Sequence, residues 1–514
     1  MRTKVLLVAV GLIGFGLSIS AATITVTTTN PAIAADGQCS LIEAIDNANA
    51  DAANHADCLV GSGADTIELA NSANYVLDQV HINHYGPNGL PIVGSAITVE
   101  GNNSTIRRAP AAPAFRIFIV NSSGFLMLND LTLEGGDSGP TYCGGALLNA
   151  FGSAALTRTT VTGSTAPSGG GICNSSGPMT LTDCVVSFNE TTYSGGGVLS
   201  LAENADMMLV LERTSVHNNI AGATGGGVYS EAVDPLVVTL QVSESSIHTN
   251  RAEGAGCGAL FAMGGTAEID RSTFSANIAE STDTWGGTGG GICLADNTTT
   301  IKNSTISGNE ARGATTTTIF SGRGGGISVV GGAWGIIPSK PTVLTIEDST
   351  ICDNTAEVFG GGISSYRYAG DMAVEIVLRN TIVAENLEQG AAILGNCVEE
   401  SPATVSSFDF NLGDDLTCNL VGTDDLVVAD VLLAPLADNG GPTLTHLPET
   451  GSPAIDSGDD AVCPEFDQHG NIRPWDGDGD GQAHCDRGAV EFGAPFFADG
   501  FETGDTTGWS NTVP

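Results

Sequence analysis

The chain has 514 residues, more than a single compact core usually contains, and its 69 glycines and 5% aromatic residues suit an elongated stack of repeats. The net charge of −41, from 58 acidic and 17 basic residues, argues against nucleic-acid binding, which depends on lysine and arginine contacts to phosphate. A hydrophobic fraction of 41% argues against disorder.

The N-terminus predicts export. Arg2 and Lys4 precede an apolar run over residues 5–19, which small residues close. We therefore expect residues 1–22 to be a signal peptide and the protein to be secreted or displayed on the cell surface. No later stretch is apolar and long enough to predict a transmembrane span.

Twelve cysteines follow the predicted signal, and in an oxidising compartment they predict disulfides. Proximity in the sequence predicts three local pairs: Cys39–Cys58, Cys397–Cys418 and Cys463–Cys485. The pairing of the cysteines within the repeats stays open.

Residues 23–96 predict an N-terminal capping region. A strand is expected over residues 23–29, and Ser40 with Glu43 has the form of a capping box that opens a short helix through about Asn49. Because solenoids need their ends covered, we expect this helix to cap the first rung.

A repeat with two marks fills the middle of the chain. The first mark is Gly-Gly-Gly followed by isoleucine or valine, beginning at Gly169, Gly195, Gly225, Gly289, Gly324 and Gly360. The second is an asparagine three residues after an apolar residue, at Asn189, Asn219, Asn250, Asn277, Asn309, Asn354 and Asn386. Eight and ten residues before the asparagine, nearly every copy has an aliphatic residue, which is the alternation of a strand.

These repeats predict an all-β fold, a right-handed parallel β-helix over residues 97–396. Units of roughly 25 to 45 residues cannot bury a core alone and must stack, with equivalent strands about 4.8 Å apart. The asparagines would form a hydrogen-bonded ladder, and the glycines would supply corners with positive φ. Two further columns alternate in charge, as in Arg158, Asp183 and Arg213, which favours the same register.

The ends of the chain resemble a family of bacterial surface proteins. Cys39-Ser-Leu-Ile-Glu-Ala-Ile45 is similar to their initial CSLREA segment. Asp438-Asn-Gly-Gly-Pro442 and Cys485-Asp-Arg-Gly-Ala489 are similar to their C-terminal part, of the choice-of-anchor type Q. The resemblance implies a pectin-lyase-like solenoid whose end, with a choice-of-anchor-like region, occupies residues 397–493. Residues 494–514 resemble a short C-terminal tail that acts in export or anchoring.

The repeats themselves, with Gly144-Gly-Ala-Leu147 and Phe274-Ser-Ala-Asn277, resemble those of polymorphic outer-membrane proteins. Those proteins are adhesins of Gram-negative bacteria, so the resemblance implies a surface-displayed protein that contacts a host or neighbouring cell.

One motif predicts a metal site. Asp476, Asp478 and Asp480 alternate with glycines, and Asp486 follows, which gives the oxygen-rich shell and tight turn that calcium prefers. The sequence departs from an EF-hand, and a solvated acidic turn is the alternative reading.

Long excursions of the late rungs predict a ligand-binding surface. They carry the aromatic and arginine residues Trp285, Arg312, Arg323, Trp334, Tyr366 and Arg367. Aromatic rings beside arginines suit an acidic glycan, whereas packing of the loops over the rungs is the alternative.

Asp353 and Glu385 precede the asparagine in consecutive rungs, so the stacking predicts that they lie side by side. Two carboxyl groups can act as acid and base in glycoside hydrolysis, although charged stacking is common in this chain and a structural role is the alternative.

Together these patterns predict a non-enzymatic, adhesin-like binding protein that recognises polysaccharide or a cell surface. A polysaccharide lyase or glycoside hydrolase is the first alternative, by analogy of fold, and a structural envelope protein is the second. Calcium is the expected cofactor.

Overall fold

The computed structural model describes residues 21–254, 256–281, 287–313, 322–331, 340–367, 373–389, 393–399 and 403–494. Over this part the chain winds into a parallel β-solenoid, and the central turns each contribute short strands to four faces. The predicted all-β parallel β-helix is therefore confirmed.

Faces 1 and 2 form one 24-stranded sheet, because two long strands, Ala96–Arg108 and Phe125–Glu134, continue through both. The other strands of face 1 are Thr23–Thr25, Asp65–Glu68, Ser153–Thr157, Met179–Thr182, Met207–Glu212, Val238–Ser243, Gly265–Asp270, Thr298–Lys302, Thr342–Glu347, Val374–Arg379 and Thr404–Ser407. Those of face 2 are Asn74–Leu77, Thr160–Thr162, Val185–Ser187, Ser215–His217, Ser246–His248, Thr273–Ser275, Thr305–Ser307, Thr350–Cys352, Ile382–Ala384, Leu412–Gly413 and Leu426–Val427.

Faces 3 and 4 are sheets of nine and ten strands. The strands of face 3 are Thr165–Ala166, Glu190–Thr191, Ile220–Ala221, Arg251–Ala252, Ile278–Glu280, Glu310–Arg312, Thr355–Ala356, Leu387–Glu388 and Ile393–Leu394. Those of face 4 are Phe118–Val120, Leu147–Ala150, Ile172–Ser175, Val198–Ala202, Val228–Ala232, Leu260–Met263, Ile292–Ala295, Ile327–Gly331, Ile363–Arg367 and Cys397–Glu399. A small hairpin joins Ile82–Asn83 to Pro87–Asn88.

The core of the solenoid consists of the aliphatic columns that the repeat predicts. Leu156, for example, lies in register with Leu181, which lies in register with Leu211. All three side chains are fully buried, and burying each contributes about 1.5–3 kcal/mol. Along the strands of face 1, buried positions alternate with partly exposed ones. This alternation is the reason that aliphatic residues two positions apart predicted strands.

The predicted asparagine ladder is also present. Asn309 accepts hydrogen bonds from the backbone and side-chain N–H groups of Asn277, at 3.1 and 2.9 Å. It donates to Asn354 Oδ1 and to the Phe274 carbonyl, each at 2.9 Å. The same bonds link the buried asparagines from Asn189 through the late rungs, so one side chain per turn ties each rung to its neighbours.

Corners and charges agree with the predicted register. The first glycine of each triplet has positive φ, 59° at Gly169 for instance, where a side chain would be strained. Asp183 lies 2.7 Å from Arg213 in the next rung. Arg158, by contrast, pairs at 2.6 Å with Asp130 of the preceding rung, a partner that the sequence pattern did not name.

The short helix that the sequence predicts near the N-terminus is present. The helix Leu41–Ala50 opens with a capping box between Ser40 and Glu43, and its apolar side is buried. The Cys39–Cys58 disulfide closes the loop that carries this helix. No helix in the described ranges combines the length and the apolar character that a membrane span requires.

All three disulfides predicted from proximity are confirmed, and two more join consecutive rungs. The five pairs are Cys39–Cys58, Cys143–Cys173, Cys257–Cys293, Cys397–Cys418 and Cys463–Cys485. Cys184 and Cys352 are free thiols, and both are buried.

Beyond the last solenoid strand, residues 431–494, here the C-terminal segment, fold back over face 2. Gln468 donates to Thr273 Oγ1 at 2.9 Å and accepts from Thr305 Oγ1 at 2.6 Å, which are residues of consecutive rungs. Thr273 Oγ1 donates in turn to the Leu444 carbonyl. The segment therefore covers the side of the solenoid rather than extending it.

A buried charge cluster anchors this segment. Arg473 lies 3.3 Å from Asp348 of face 1's edge and 3.3 Å from Glu491, and the side chains of Arg473 and Glu491 are fully buried. Burial raises the pKa of Glu491 to about 8, with Asp486 and Asp467 adding to the shift and Arg473 opposing it. Folding thus favours the protonated form of this carboxyl group.

The ladder predicts a large effect of one substitution. We expect Asn309→Ala to lower the free energy of unfolding by about 3 kcal/mol or more, because it leaves buried backbone and side-chain groups of two neighbouring rungs unbonded. Urea unfolding measures this. Asn204→Ala, at an exposed loop position, should change the value by less than about 0.5 kcal/mol. Equal effects would contradict a stabilising ladder.

Glu491 predicts a pH dependence. A carboxyl group whose pKa rises on folding stabilises the native state fully below its unfolded value, and this stability is lost as pH rises through its native value. The free energy of unfolding should therefore fall between about pH 4.5 and about pH 8. Glu491→Gln should flatten this dependence, while Glu465→Gln, at an exposed glutamate of the same segment, should not. An unchanged slope in Glu491→Gln would contradict the assignment.

Candidate functional site

Four exposed aromatic residues surround a groove on the outer side of face 4 in the early rungs. They are Tyr85, Tyr142, Phe151 and Tyr193, between 36% and 60% exposed. The groove, here the tyrosine groove, has a volume of about 460 Å³, within the range of small-ligand sites. Its apolar floor consists of Leu148, Ala150, Cys173, Leu199 and Leu201.

The walls of the groove come from turns, not from the repeated strands. Tyr85 lies in the turn of the small hairpin. Tyr142 directly precedes Cys143, and the disulfide between Cys143 and Cys173 holds the turn that carries Tyr142 beside face 4. Gly86 has a φ of 100°, and a Cβ there would lie 2.5 Å from the Tyr142 ring. The backbone of one wall therefore packs directly against the ring of the other.

Arg116 joins these two walls from beneath. Its fully buried guanidinium donates to the carbonyls of Tyr85 and Cys143, at 3.2 and 2.6 Å, and to Asn88 Oδ1 at 2.7 Å. It also donates to the Gly144 carbonyl at 2.8 Å. Burial lowers the pKa of Arg116 to about 9. Because its acceptors belong to both walls, Arg116 sets the distance between them.

The polar part of the groove is acidic and rich in hydroxyl groups. Glu203 lines it and accepts a hydrogen bond from Ser175 Oγ at 3.3 Å. Thr141 and Ser168 also line it. The tyrosine rings, the hydroxyls and one carboxylate together form a surface that can stack on a flat ligand and bond to its hydroxyl groups.

Reasoning from the sequence missed this groove. Its aromatic residues stand in turns with no fixed place in the repeat, so no column contains them. The available signal was their composition: in a chain with 5% aromatic residues, Tyr85, Tyr142 and Tyr193 all lie in turn-forming stretches beside glycine or proline, where exposure is expected.

The late-rung binding set is only partly described. Trp285 and Trp334 lie outside the described residues, as does the side chain of Arg367. Arg312 pairs with Glu280 and Glu310 on face 3. The remaining two are buried: Arg323 places its guanidinium 4.8 Å from the Phe359 ring centre, and Tyr366 packs in a hydrophobic cluster. The late-rung glycan site stays a prediction.

The structure brings Asp353 and Glu385 to neighbouring rungs, as the repeat predicts, because Cys352 pairs with Ala384 just before them. Burial and the charge of Asp353 raise the pKa of Glu385. His446, from the C-terminal segment, lies 4.0 Å from Asp353 Oδ2. The sequence did not reveal His446, because its contact depends on how the segment folds back.

The aspartates of the acidic loop at residues 476–480 do not all converge on one point, as the predicted calcium site would require. Carboxylate oxygens of Asp476 and Asp478 lie within 4.8 Å of one from Asp456, which the sequence did not indicate. The Asp480 carboxylate accepts from the amide of Gln482. Asp486 is buried and accepts from backbone amides, and burial raises its pKa to about 7. Calcium binding stays a prediction.

Comparison with known proteins identifies no family for this chain. No protein family matches the sequence, and no curated protein does. The chain is similar to a pectate lyase, Pel9A, with a TM-score of 0.40 and 11% identity over 92% of this chain and 98% of the lyase. It is also similar to tailspike protein 3 of bacteriophage CBA120, with a TM-score of 0.34 and 10% identity over 68% of this chain. The chain covers 52% of that tailspike.

These comparisons leave the resemblance to the CSLREA and choice-of-anchor proteins as a prediction, since no family match accompanies it.

The role of Arg116 predicts a stability effect. Arg116→Met should lower the free energy of unfolding by about 3 kcal/mol or more, because several buried carbonyl oxygens lose their donor. Arg158→Met, the same change at an exposed arginine, should cost about 1 kcal/mol or less. Urea unfolding compares the two, and similar losses would show that Arg116 does not hold the walls.

Proposed function

We propose that this protein is an exported carbohydrate-binding protein and that the tyrosine groove holds the sugar chain. One observation carries the proposal: Tyr85, Tyr142, Phe151 and Tyr193 stay exposed together above an apolar floor. Leaving four aromatic side chains in water at one place costs hydrophobic free energy. A ligand that covers them accounts for the arrangement.

Carbohydrate suits this surface by its chemistry. A sugar ring has a flat face of C–H groups that stacks on a tyrosine ring, and its hydroxyl groups bond to polar edges. Ser168, Ser175 and Glu203 supply such edges beside the rings. A groove with rings on both walls and an apolar floor fits a chain of rings better than a compact polar ligand.

The charge of the site favours a neutral polysaccharide. Glu203 is the charged residue that lines the groove, while Arg116 lies buried beneath it and is occupied by carbonyl oxygens. The chain as a whole has a net charge of −41. An anionic polymer would therefore be repelled both by the site and by the rest of the surface.

Export to the cell surface is part of this proposal. The predicted signal peptide of residues 1–22 and five disulfides support an oxidising compartment outside the cytoplasm. An adhesin-like role follows if the polysaccharide belongs to a host or neighbouring cell. Calcium at the 476–480 loop is an additional proposal, with a structural role.

Polysaccharide cleavage by Asp353 and Glu385 is the alternative function. The raised pKa of Glu385, which burial and then the charge of Asp353 cause, favours it, because glycoside hydrolysis uses two carboxyl groups of which one acts as the acid. Shortening of a polysaccharide that disappears in Asp353→Asn or Glu385→Gln would establish this alternative over simple binding.

Binding is tested with a panel of neutral and acidic polysaccharides, with and without calcium, by affinity electrophoresis. We expect retention on a neutral polymer. Tyr142→Ala and Tyr193→Ala should each weaken retention by about tenfold, since truncating an aromatic contact residue costs about 1.4 kcal/mol. Phe188→Ala provides the matched control, because Phe188 is 61% exposed and does not line the groove.

Retention that survives the double substitution Tyr142→Ala/Tyr193→Ala would refute the tyrosine groove as the binding site. Retention on none of the polymers, with intact folding by circular dichroism, would refute carbohydrate binding and favour the structural role. Preference for an acidic polymer would refute the neutral ligand.

A further inference from the structure

Four side chains with metal-ligand chemistry meet where the C-terminal segment crosses face 2. They are Cys352, Asp353, Glu385 and His446, here called the Cys–His cluster. Cys352 ends a face 2 strand, Asp353 follows it in the turn, and Glu385 holds the equivalent position in the next rung. His446 approaches from the C-terminal segment. The cluster lies several rungs from the tyrosine groove and is independent of the proposed carbohydrate binding.

The distances in the Cys–His cluster are close to those of a metal shell. Cys352 Sγ, a carboxylate oxygen of Asp353 and a ring nitrogen of His446 lie within 4.8 Å of one another. Cys352 Sγ lies 3.7 Å from Glu385 Oε2. In a tetrahedral zinc site with bonds of about 2.0–2.3 Å, neighbouring ligand atoms are about 3.3–3.8 Å apart. Shifts of about 1 Å would bring the ligand atoms of Cys352, Asp353 and His446 to these distances, and Glu385 stands at the edge of the shell through its contact with Cys352.

His446 is held in the orientation of a metal-ligating histidine. Its Nδ1 lies 2.8 Å from the Ala434 carbonyl, which can only accept, so Nδ1 bears the proton. Nε2 therefore carries the lone pair of the ring. This atom lies 2.8 Å from Ser307 Oγ and 4.0 Å from Asp353 Oδ2. Fixing the tautomer through a carbonyl at the other ring nitrogen is the usual outer contact of histidine ligands. The ring itself is only 1% exposed.

The charges around the cluster call for a cation. Those that act on Glu385 come from Asp353, Asp414 and Asp430, all of them acidic. The Asp414 carboxylate also accepts a hydrogen bond from the backbone amide of Glu385 at 2.8 Å, and this bond holds Asp414 close to the cluster. Asp353, Glu385 and Asp414, which are likewise acidic, act on the Cys352 thiol. A bound dication would offset this excess.

Cys352 is also unusual among the cysteines. Ten of the twelve form disulfides, and Cys352 and Cys184 remain as thiols. These two cannot pair, because five rung spacings of about 4.8 Å separate their strands. Cys184 lies in the column of serine and threonine residues that fills the interior, whereas Cys352 faces a histidine and two carboxylates.

We propose that the Cys–His cluster is a binding site for a divalent transition-metal ion of the zinc type. One thiolate, one imidazole and two carboxylates form a ligand set that zinc accepts, whereas the soft sulfur and nitrogen disfavour calcium and magnesium. Ser307 gives up its hydrogen bond to Nε2 when the metal binds.

The bound ion ties the C-terminal segment to two rungs of the solenoid. Cys352 and Glu385 belong to successive turns, and His446 lies 61 residues beyond Glu385 in a segment that otherwise docks through hydrogen bonds and the buried Arg473 cluster. Metal binding therefore stabilises the docked position of the segment, since the ligands converge only in the folded chain.

The test uses the full mature protein, treated with a chelator and then titrated with Co²⁺ or Zn²⁺. We expect one tightly bound ion per chain and, with Co²⁺, a thiolate-to-cobalt charge-transfer band in the near ultraviolet. Cys352→Ser should abolish the band and weaken Zn²⁺ binding by about tenfold or more. Cys184→Ser, the same change at the other buried thiol, should alter neither. Zn²⁺ should also raise the Tm of the wild type and not of His446→Gln.

Circular dichroism checks the folding of each variant, and Glu385→Gln, at a partly exposed side chain, provides a milder substitution that should weaken binding while the fold is kept. The absence of a charge-transfer band in the wild type would overturn the proposal. So would a band that persists in Cys352→Ser, or Zn²⁺ bound equally by wild type and Cys352→Ser, since the metal would then sit elsewhere, for example at the 476–480 loop.

Discussion

The register between successive rungs is the constraint on which the rest of this protein depends. A slip of one residue would turn the aliphatic columns of face 1 from the interior to the solvent. The asparagine ladder prevents such a slip, because each side chain bonds to the backbone and to the amide of the neighbouring asparagine at one place only. Parallel strands alone offer evenly spaced bonds that would tolerate other pairings. The ladder thus selects one register from several that would satisfy the backbone.

Once the register is set, the turns between the strands are free to vary, and the tyrosine groove arises there. The tyrosine groove forms where the small hairpin and the turn before Cys143 approach each other over face 4. Arg116 and the Cys143–Cys173 disulfide hold this approach, since the turns themselves contribute few regular hydrogen bonds. The rungs therefore provide a rigid floor, and the exposed rings are positioned by contacts that belong to no repeat.

The C-terminal segment uses a different face of the solenoid. It docks on the row of threonine and serine hydroxyls that face 2 presents, and it buries Arg473 beside the carboxyl groups of Asp348 and Glu491. Burying charges is unfavourable unless they are paired, so this contact specifies one position of the segment more than it adds stability. That position brings His446 to Cys352 and Asp353, and a metal ion there would hold the segment where the charge cluster has placed it.

The repeat, its strands, the ladder, the glycine corners, the helix at Ser40 and three disulfides could all be predicted, because each depends on contacts close in sequence or repeated at a constant spacing. The adjacency of Asp353 and Glu385 followed from the same periodicity. The tyrosine groove, the Cys143–Cys173 and Cys257–Cys293 pairs and the arrival of His446 could not be predicted. They depend on the final positions of irregular turns and of a segment that folds back on the solenoid. No local sequence pattern encodes such contacts, because the repeated rungs offer many similar partners, and only the packing of the whole chain selects one of them.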